Sequence, residues 1–104
     1  GGIGRATAEG LARTRRCSVL YLTGRHAASS AAAAASISRA TGHPAVLGLA
    51  LQLGSLADVR HFAEGFARLT SRLDLLVLNA GSFGPAQGLQ TTDVRSYEPV
   101  ALWP

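Results

Sequence analysis

Four residues at the start of the chain have the composition of a phosphate-binding turn. Gly1-Gly2-Ile3-Gly4, which we call the glycine turn, runs directly into a helical pattern that begins at Arg5. Glycine lets the backbone approach phosphate oxygens, and a helix that starts there points its unpaired N–H groups at their charge. Only the last two glycines of such a turn are present, so the motif in isolation also fits an ordinary glycine-rich loop.

Arg25 is the second residue whose type and place suggest binding chemistry. It follows an apolar stretch at residues 19–22, and no Asp or Glu occupies residues 22–25. An acid at this point would bind the 2′-hydroxyl of NAD, whereas an arginine pairs with the 2′-phosphate of NADP. The sequence therefore favours NADP, with NAD as the alternative; the competing interpretation is a solvent-facing loop arginine.

Three short apolar stretches predict strands buried on both faces of a parallel sheet: residues 19–22, 45–53 and 75–78. A glycine follows each stretch within three residues. The third stretch ends in Asn79-Ala80-Gly81, a small-residue turn at the carboxyl end of a strand, where a nucleotide ribose can approach. The alternative is a plain strand-to-helix turn.

The segments between these strands predict helices. In residues 5–13 the small or apolar positions Ala6, Gly10 and Leu11, with Ile3 before them, share one helical face, and Gly10 is costly there unless a neighbour packs closely.

An alanine-rich helix is predicted at residues 31–40, with Gly42 as its stop. Ser55 and Asp58 resemble a capping box, and the apolar residues that follow recur at helical steps: Val59, Phe62, Ala63, Phe66 and Leu69.

Strands that alternate with helices predict an α/β fold, here a partial doubly wound parallel sheet of the Rossmann type. The prediction is one domain over residues 1–104, without the first strand and the C-terminal catalytic half. Residues 82–88 are predicted as a loop, and the tail at about 88–104 as irregular, weakly helical from Thr91 onward.

Composition limits the function classes. The chain has 104 residues, is 47% hydrophobic and carries a net charge of +4 with all ten basic residues arginine. These arginines are scattered, which indicates solvated helix surface and argues against a nucleic-acid-binding module despite the high pI of about 10.6. A single cysteine excludes an internal disulfide, no stretch of about 20 apolar residues is present, and a cytoplasmic location is the default expectation.

These signals together resemble the short-chain dehydrogenase/reductase family. The glycine turn is similar to the end of its T-G-x-x-x-G-I-G turn, and residues 75–81 resemble its N-N-A-G strand motif, with Leu78 in place of the first asparagine. Residues 59–66 and 79–83 resemble the retinol-dehydrogenase-like, WW domain-containing oxidoreductase-like branch. The resemblance implies a hydride transfer between a nicotinamide and a small-molecule alcohol or carbonyl substrate.

The resemblance also implies roles for individual residues. Gly2 and Gly4 lie near the pyrophosphate, and Ile3 packs the turn onto the sheet and borders the nicotinamide. Gln52, followed by Leu53, stands where the family has an aspartate that binds the adenine amino group; a structural role for Gln52 is the alternative. In the third motif, Asn79 ties strands together, and Ala80 and Gly81 border the cofactor.

No catalytic residue is assigned. The family's acid/base is a tyrosine with a lysine four residues later, but Ala101 lies four residues after Tyr97 and the chain has no lysine. The family's upstream asparagine, expected near residues 100–102, is replaced by Val-Ala-Leu. The alternative function is therefore a non-enzymatic truncated product that binds a nucleotide or a partner protein, or is inactive. Without its central strand, this polypeptide is also expected to be unstable or prone to aggregate.

Overall fold

The computed structural model describes residues 2–80, together with the backbone of residues 90–91 and 96–97. The chain divides into two compact units, Gly1–Gln52 and Leu53–Pro104. Among the described residues, no helix has the length and apolar character needed to cross a membrane.

The first unit is an α/β layer built on a parallel strand pair. Helix α1 (Gly2–Thr14) leads to strand β1 (Leu20–Gly24), and helix α2 (Ala27–Thr41) connects β1 to strand β2 (Val46–Ala50). The strands pair in parallel from Leu20 opposite Val46 to Gly24 opposite Ala50. The first two apolar stretches thus form strands as predicted, and the α/β fold class with a parallel sheet is confirmed.

Small side chains make up most of the core of this unit. Ala8 and Ala12 of α1 are buried in one cluster with Ala34 and Ile37 of α2 and with Val46 of β2. The helical face predicted from Ala6, Gly10 and Leu11 is not the one that packs, because Ala6 and Gly10 are exposed and Leu11 is half-buried. Several faces of this helix carry small residues, so their spacing did not decide which face packs.

Helix α2 lies directly on β2 at Gly48. A Cβ atom added to Gly48 would overlap the backbone carbonyl of Ser30 and come within 2.6 Å of the amide nitrogen of Ala31. Because these are backbone atoms, the helix cannot yield without moving as a whole. Glycine is required here for the close approach of helix and strand.

The C-terminal ends of α1 and α2 are tied together. Gly42 adopts the left-handed conformation (φ 74°) and its N–H bonds the Ser38 carbonyl at 2.8 Å, as the predicted glycine stop requires. Arg15, just past α1, is also left-handed (φ 58°), and its Nη2 donates to the Thr41 carbonyl at 3.3 Å. This places a cation at the carbonyl end of α2.

The second unit contains helix α3 (Leu56–Leu69). Ser55 caps it as predicted, since its hydroxyl oxygen accepts from the Asp58 N–H at 3.1 Å. Phe62 and Phe66 stack with their ring centroids 5.9 Å apart. None of the helix residues is fully buried, although the apolar periodicity of this helix is well defined.

The predicted strand at residues 75–78 is not formed. These residues belong to no helix or strand, and Leu75, Leu76, Val77 and Leu78 are 61%, 65%, 47% and 76% exposed. A strand is stabilised only by the backbone hydrogen bonds of a neighbour, and within residues 2–80 the ladder contains β1 and β2 alone. The local pattern predicted a strand but could not supply its partner.

A short antiparallel pair lies in the tail. Strand β3 (Gln90–Thr91) pairs with strand β4 (Ser96–Tyr97). The prediction of weak helix from Thr91 onward is therefore wrong at these positions. The predicted loop at residues 82–88 and the tail residues 92–95 and 98–104 lie outside the described residues.

Candidate functional site

The glycine turn forms the first turn of α1. The helix begins at Gly2, which has a left-handed φ of 75°, a conformation that glycine adopts without strain. Apart from its chain neighbours and the backbone of its own helix, no described heavy atom lies within 4 Å of a Cβ built on Gly2, so this side of the residue is open to an incoming group. Gly4 is half-buried within the same turn. The geometry leaves room for a ligand against the backbone.

Ile3 does not pack as predicted. Its side chain is 78% exposed, so it does not fasten the turn to the sheet. The residue lies at the helix start, and its carbonyl accepts from the Thr7 hydroxyl at 2.9 Å. That contact is one helical turn away and holds only the local backbone. The predicted contact of Ile3 with the nicotinamide stays a prediction.

Arg25 occupies the junction between β1 and α2. It is exposed and directly follows Gly24, the last residue of β1. His26 is the N-cap of α2, but its side chain makes no capping hydrogen bond, and the first turn of α2 contains no acidic residue. A guanidinium therefore lies next to a helix N-terminus whose first turn carries no carboxylate, a combination that favours an anion.

The glycine turn and Arg25 lie at the same end of the first unit. Helix α2 begins just after the carboxyl end of β1 and ends just before β2, so its C-terminus is at the opposite end of the strands. Arg15 bonds Thr41 at that opposite end, which places the C-terminus of α1 there too. The N-terminus of α1 is thus at the carboxyl ends of the strands, where open α/β sheets bind ligands.

Gln52 lies at this end as well, two residues past Ala50 of β2, and is exposed. Leu53 opens the second unit and is half-buried. Asn79 and Ala80, also in the second unit, are exposed, and Gly81 lies outside the described residues. The structure therefore collects the glycine turn, Arg25 and Gln52 in one unit. The cofactor roles of all nine predicted residues stay predictions.

Two polar side chains that the sequence did not single out hold this unit together. His43 is buried between the loops that precede β1 and β2, and Arg5 links α1 to α2. Each has one partner far along the chain, the Cys17 carbonyl for His43 and the Ser36 hydroxyl for Arg5, which no local motif indicates. Cys17 is half-buried and its thiol donates to the Val19 carbonyl at 2.9 Å. No cluster of three or more potential metal ligands occurs among the described residues.

Comparison with known proteins decides the family. A model of the short chain dehydrogenases matches residues 1–101. The chain belongs to the short-chain dehydrogenase/reductase family. The predicted family resemblance is thereby confirmed, and members of this family are oxidoreductases that use NAD(P). The more specific prediction, the retinol-dehydrogenase-like branch, stays a prediction.

Two curated relatives extend this result. The chain is 42% identical over 80 residues to "Dehydrogenase/reductase SDR family member 13" of Bos taurus and of Homo sapiens. In each case the match covers 77% of this chain and 21% of the relative. The chain thus spans about a fifth of the length of these relatives.

Proposed function

We propose that this chain is the nucleotide-binding part of an NADP-preferring oxidoreductase. The proposal combines the family with the end of the first unit at which the glycine turn and Arg25 lie. The whole protein would move a hydride between the nicotinamide and an alcohol or carbonyl compound. The name of the two relatives, dehydrogenase/reductase, supports this class of reaction.

The observation that supports the NADP preference is the environment of Arg25. Arg25 is exposed, His26 leaves the N-terminus of α2 without a side-chain cap, and residues 19–29 contain no acid. A 2′-phosphate placed there would gain a charge-assisted hydrogen bond from the guanidinium and the favourable end of the helix dipole. An NAD ribose would find no carboxylate to accept from its 2′-hydroxyl.

The glycine turn would hold the pyrophosphate. Gly2 is open on the side where a Cβ would stand, and the first turn of α1 has no acidic residue that would repel phosphate. The N–H groups of this 13-residue helix then face the charge. Gln52 with Leu53 would border the adenine, and Asn79, Ala80 and Gly81 the adenine ribose, as the family resemblance implies.

Catalysis itself requires residues that these 104 positions do not contain, because no lysine is present to activate a tyrosine. Nucleotide binding without hydride transfer is therefore the second candidate function for the chain alone. The two functions share the same site and differ in turnover: binding of NADPH without its oxidation by carbonyl compounds would identify the second.

Calorimetric titration of the chain with NADPH and with NADH tests the proposal. We expect NADPH to bind at least about tenfold more tightly, because one charge-assisted hydrogen bond is worth about 1.5–3 kcal/mol. Arg25→Gln should abolish this preference and leave the NADH affinity within about threefold. Arg39→Gln, an exposed arginine in the last turn of α2, is the matched control and should change neither affinity. Equal affinities of the unsubstituted chain for both nucleotides would contradict the NADP preference.

A further inference from the structure

Arg5 makes two hydrogen bonds in different directions. Its Nε donates to Glu9 Oε1 at 3.1 Å, and its Nη2 donates to Ser36 Oγ at 2.6 Å. The Arg5 and Glu9 side chains are 35% and 30% exposed, so the ion pair is partly shielded from water. Ser36 belongs to α2 and is half-buried. One guanidinium therefore joins a carboxylate of its own helix to a hydroxyl of the neighbouring helix.

The direction of this side chain is informative. Side chains on a helix lean towards its N-terminus, which for Arg5 is the glycine turn. The bond to Glu9 instead draws the guanidinium one turn towards the C-terminus of α1. The Arg5 guanidinium, although next to Gly4 in the sequence, thus takes part in the contact between the helices and does not lie in front of the glycine turn.

We propose that Arg5 is a positioning residue for the glycine turn and not a phosphate ligand. This inference rests on the proposed nucleotide site. Arg5 directly follows Gly4, and Ala8, one turn later, is packed in the core. The core does not hold the first turn of α1. The bond to Ser36 therefore fixes this turn, just behind the backbone that would meet the pyrophosphate.

An arginine hydrogen bond ties α1 to α2 towards each end of α1. In its buried part, α1 contributes only the small side chains of Ala8 and Ala12 to the core, and each of these buries little area. Arg15 bonds Thr41 at one end, and Arg5 bonds Ser36 towards the other. Removing the second tie should let the first turn of α1 fray while the alanine contact survives.

The test uses Ser36→Ala, which removes the partner of Arg5 without changing any charge. Ser38→Ala is the matched control: it removes a hydroxyl of the same helix, whose bond runs to the His43 carbonyl at 2.5 Å and not to α1. Arg5→Lys keeps the charge but loses the fork that reaches two partners. Amide hydrogen exchange at residues 6–8 reports fraying, and titrations with NADPH and with adenosine 2′-monophosphate report binding.

We expect Ser36→Ala and Arg5→Lys to speed exchange at residues 6–8 and to weaken NADPH binding about three- to tenfold, as expected for about one lost hydrogen bond. Adenosine 2′-monophosphate carries no pyrophosphate, so its affinity should change less than twofold in both variants. Ser38→Ala should lower stability and leave both affinities unchanged.

Two results would overturn the inference, and a third would overturn the proposed function on which it rests. Unchanged NADPH affinity in Ser36→Ala, with a loss confined to Arg5→Lys, would make Arg5 a direct phosphate ligand. An equal loss for both nucleotides, matched by Ser38→Ala, would make the contact merely structural. If the unsubstituted chain bound neither nucleotide, the proposed function would fail, and exchange at residues 6–8 would still show whether the bond to Ser36 holds the turn.

Discussion

The imidazole of His43 hydrogen-bonds the backbone carbonyl of Cys17, with Nε2 2.5 Å from the oxygen. On its other side, Nδ1 accepts from the Ala45 N–H at 3.0 Å. Because Nδ1 is an acceptor, the ring proton lies on Nε2, which donates to Cys17. His43 is only 3% exposed. A single side chain therefore joins the segments that precede β1 and β2, the two strands that carry Arg25 and Gln52 at their far ends.

Replacing His43 by alanine should destabilise the first unit by about 2–4 kcal/mol, because a cavity forms and two backbone groups lose their partners. Denaturant unfolding followed by circular dichroism measures the change. His61→Ala, on the exposed surface of α3, should stay within about 0.5 kcal/mol of the parent. Similar effects of the two substitutions would show that the His43 bonds contribute nothing.

Replacing glycine by alanine should have opposite effects on stability at Gly48 and at Gly10. Gly48→Ala places a methyl group on the Ser30 carbonyl and should cost more than about 3 kcal/mol of unfolding free energy. Gly10→Ala meets nothing within 4 Å on an exposed helix position and should stabilise by about 1 kcal/mol. Thermal unfolding of both variants tests the pair. A stable Gly48→Ala variant would contradict the close contact of α2 with β2.

Replacing a serine of α2 by alanine should change stability in opposite directions at Ser30 and Ser38. Ser30 is buried and its hydroxyl has no hydrogen-bond partner, whereas the Ser38 hydroxyl bonds the His43 carbonyl. Ser30→Ala removes an unsatisfied group and should raise stability by about 1 kcal/mol; Ser38→Ala loses a bond and should lower it by about the same amount. Chemical denaturation compares them, and a loss of stability in Ser30→Ala would reveal a partner for its hydroxyl.

The exposed apolar run at residues 75–78 should drive self-association. It contains no charge and favours β pairing, the combination that promotes contacts between chains. Leu76→Lys should keep the chain at its monomer mass of 10.7 kDa in light scattering at concentrations where the parent associates. Leu69→Lys, a 54% exposed residue at the end of α3, should not have this effect. If light scattering shows that the unsubstituted chain is monomeric at these concentrations, the prediction is wrong.

Local signals predicted most of the elements. The apolar runs located β1 and β2, Gly42 ended α2, and Ser55 capped α3, because each of these features depends on neighbouring residues only. The prediction of a strand at residues 75–78 was wrong because the stability of a strand depends on a partner strand and not only on its own residues. The sequence did not identify the face of α1 that packs, because Ala6 and Ala8 are equally small and only the contact with α2 decides between them.

The candidate site shows the same division. The order of elements places the glycine turn and Arg25 at one end of the sheet, since the ends of parallel strands and their helices are fixed by topology. The ties made by Arg5 and His43 escaped prediction. Their partners, Ser36 and the Cys17 carbonyl, lie 31 and 26 positions away, and only the folded chain brings them into contact.

The central claim is that the glycine turn and Arg25 bind one and the same dinucleotide. Titration of ¹⁵N-labelled chain with NADPH, followed by amide chemical shifts, tests it most directly. The account predicts that the signals of Gly2, Gly4 and Arg25 shift together with a single dissociation constant, and that Arg25→Gln weakens the response at all three. Shifts confined to one of these places, or separate dissociation constants for the turn and for Arg25, would contradict it.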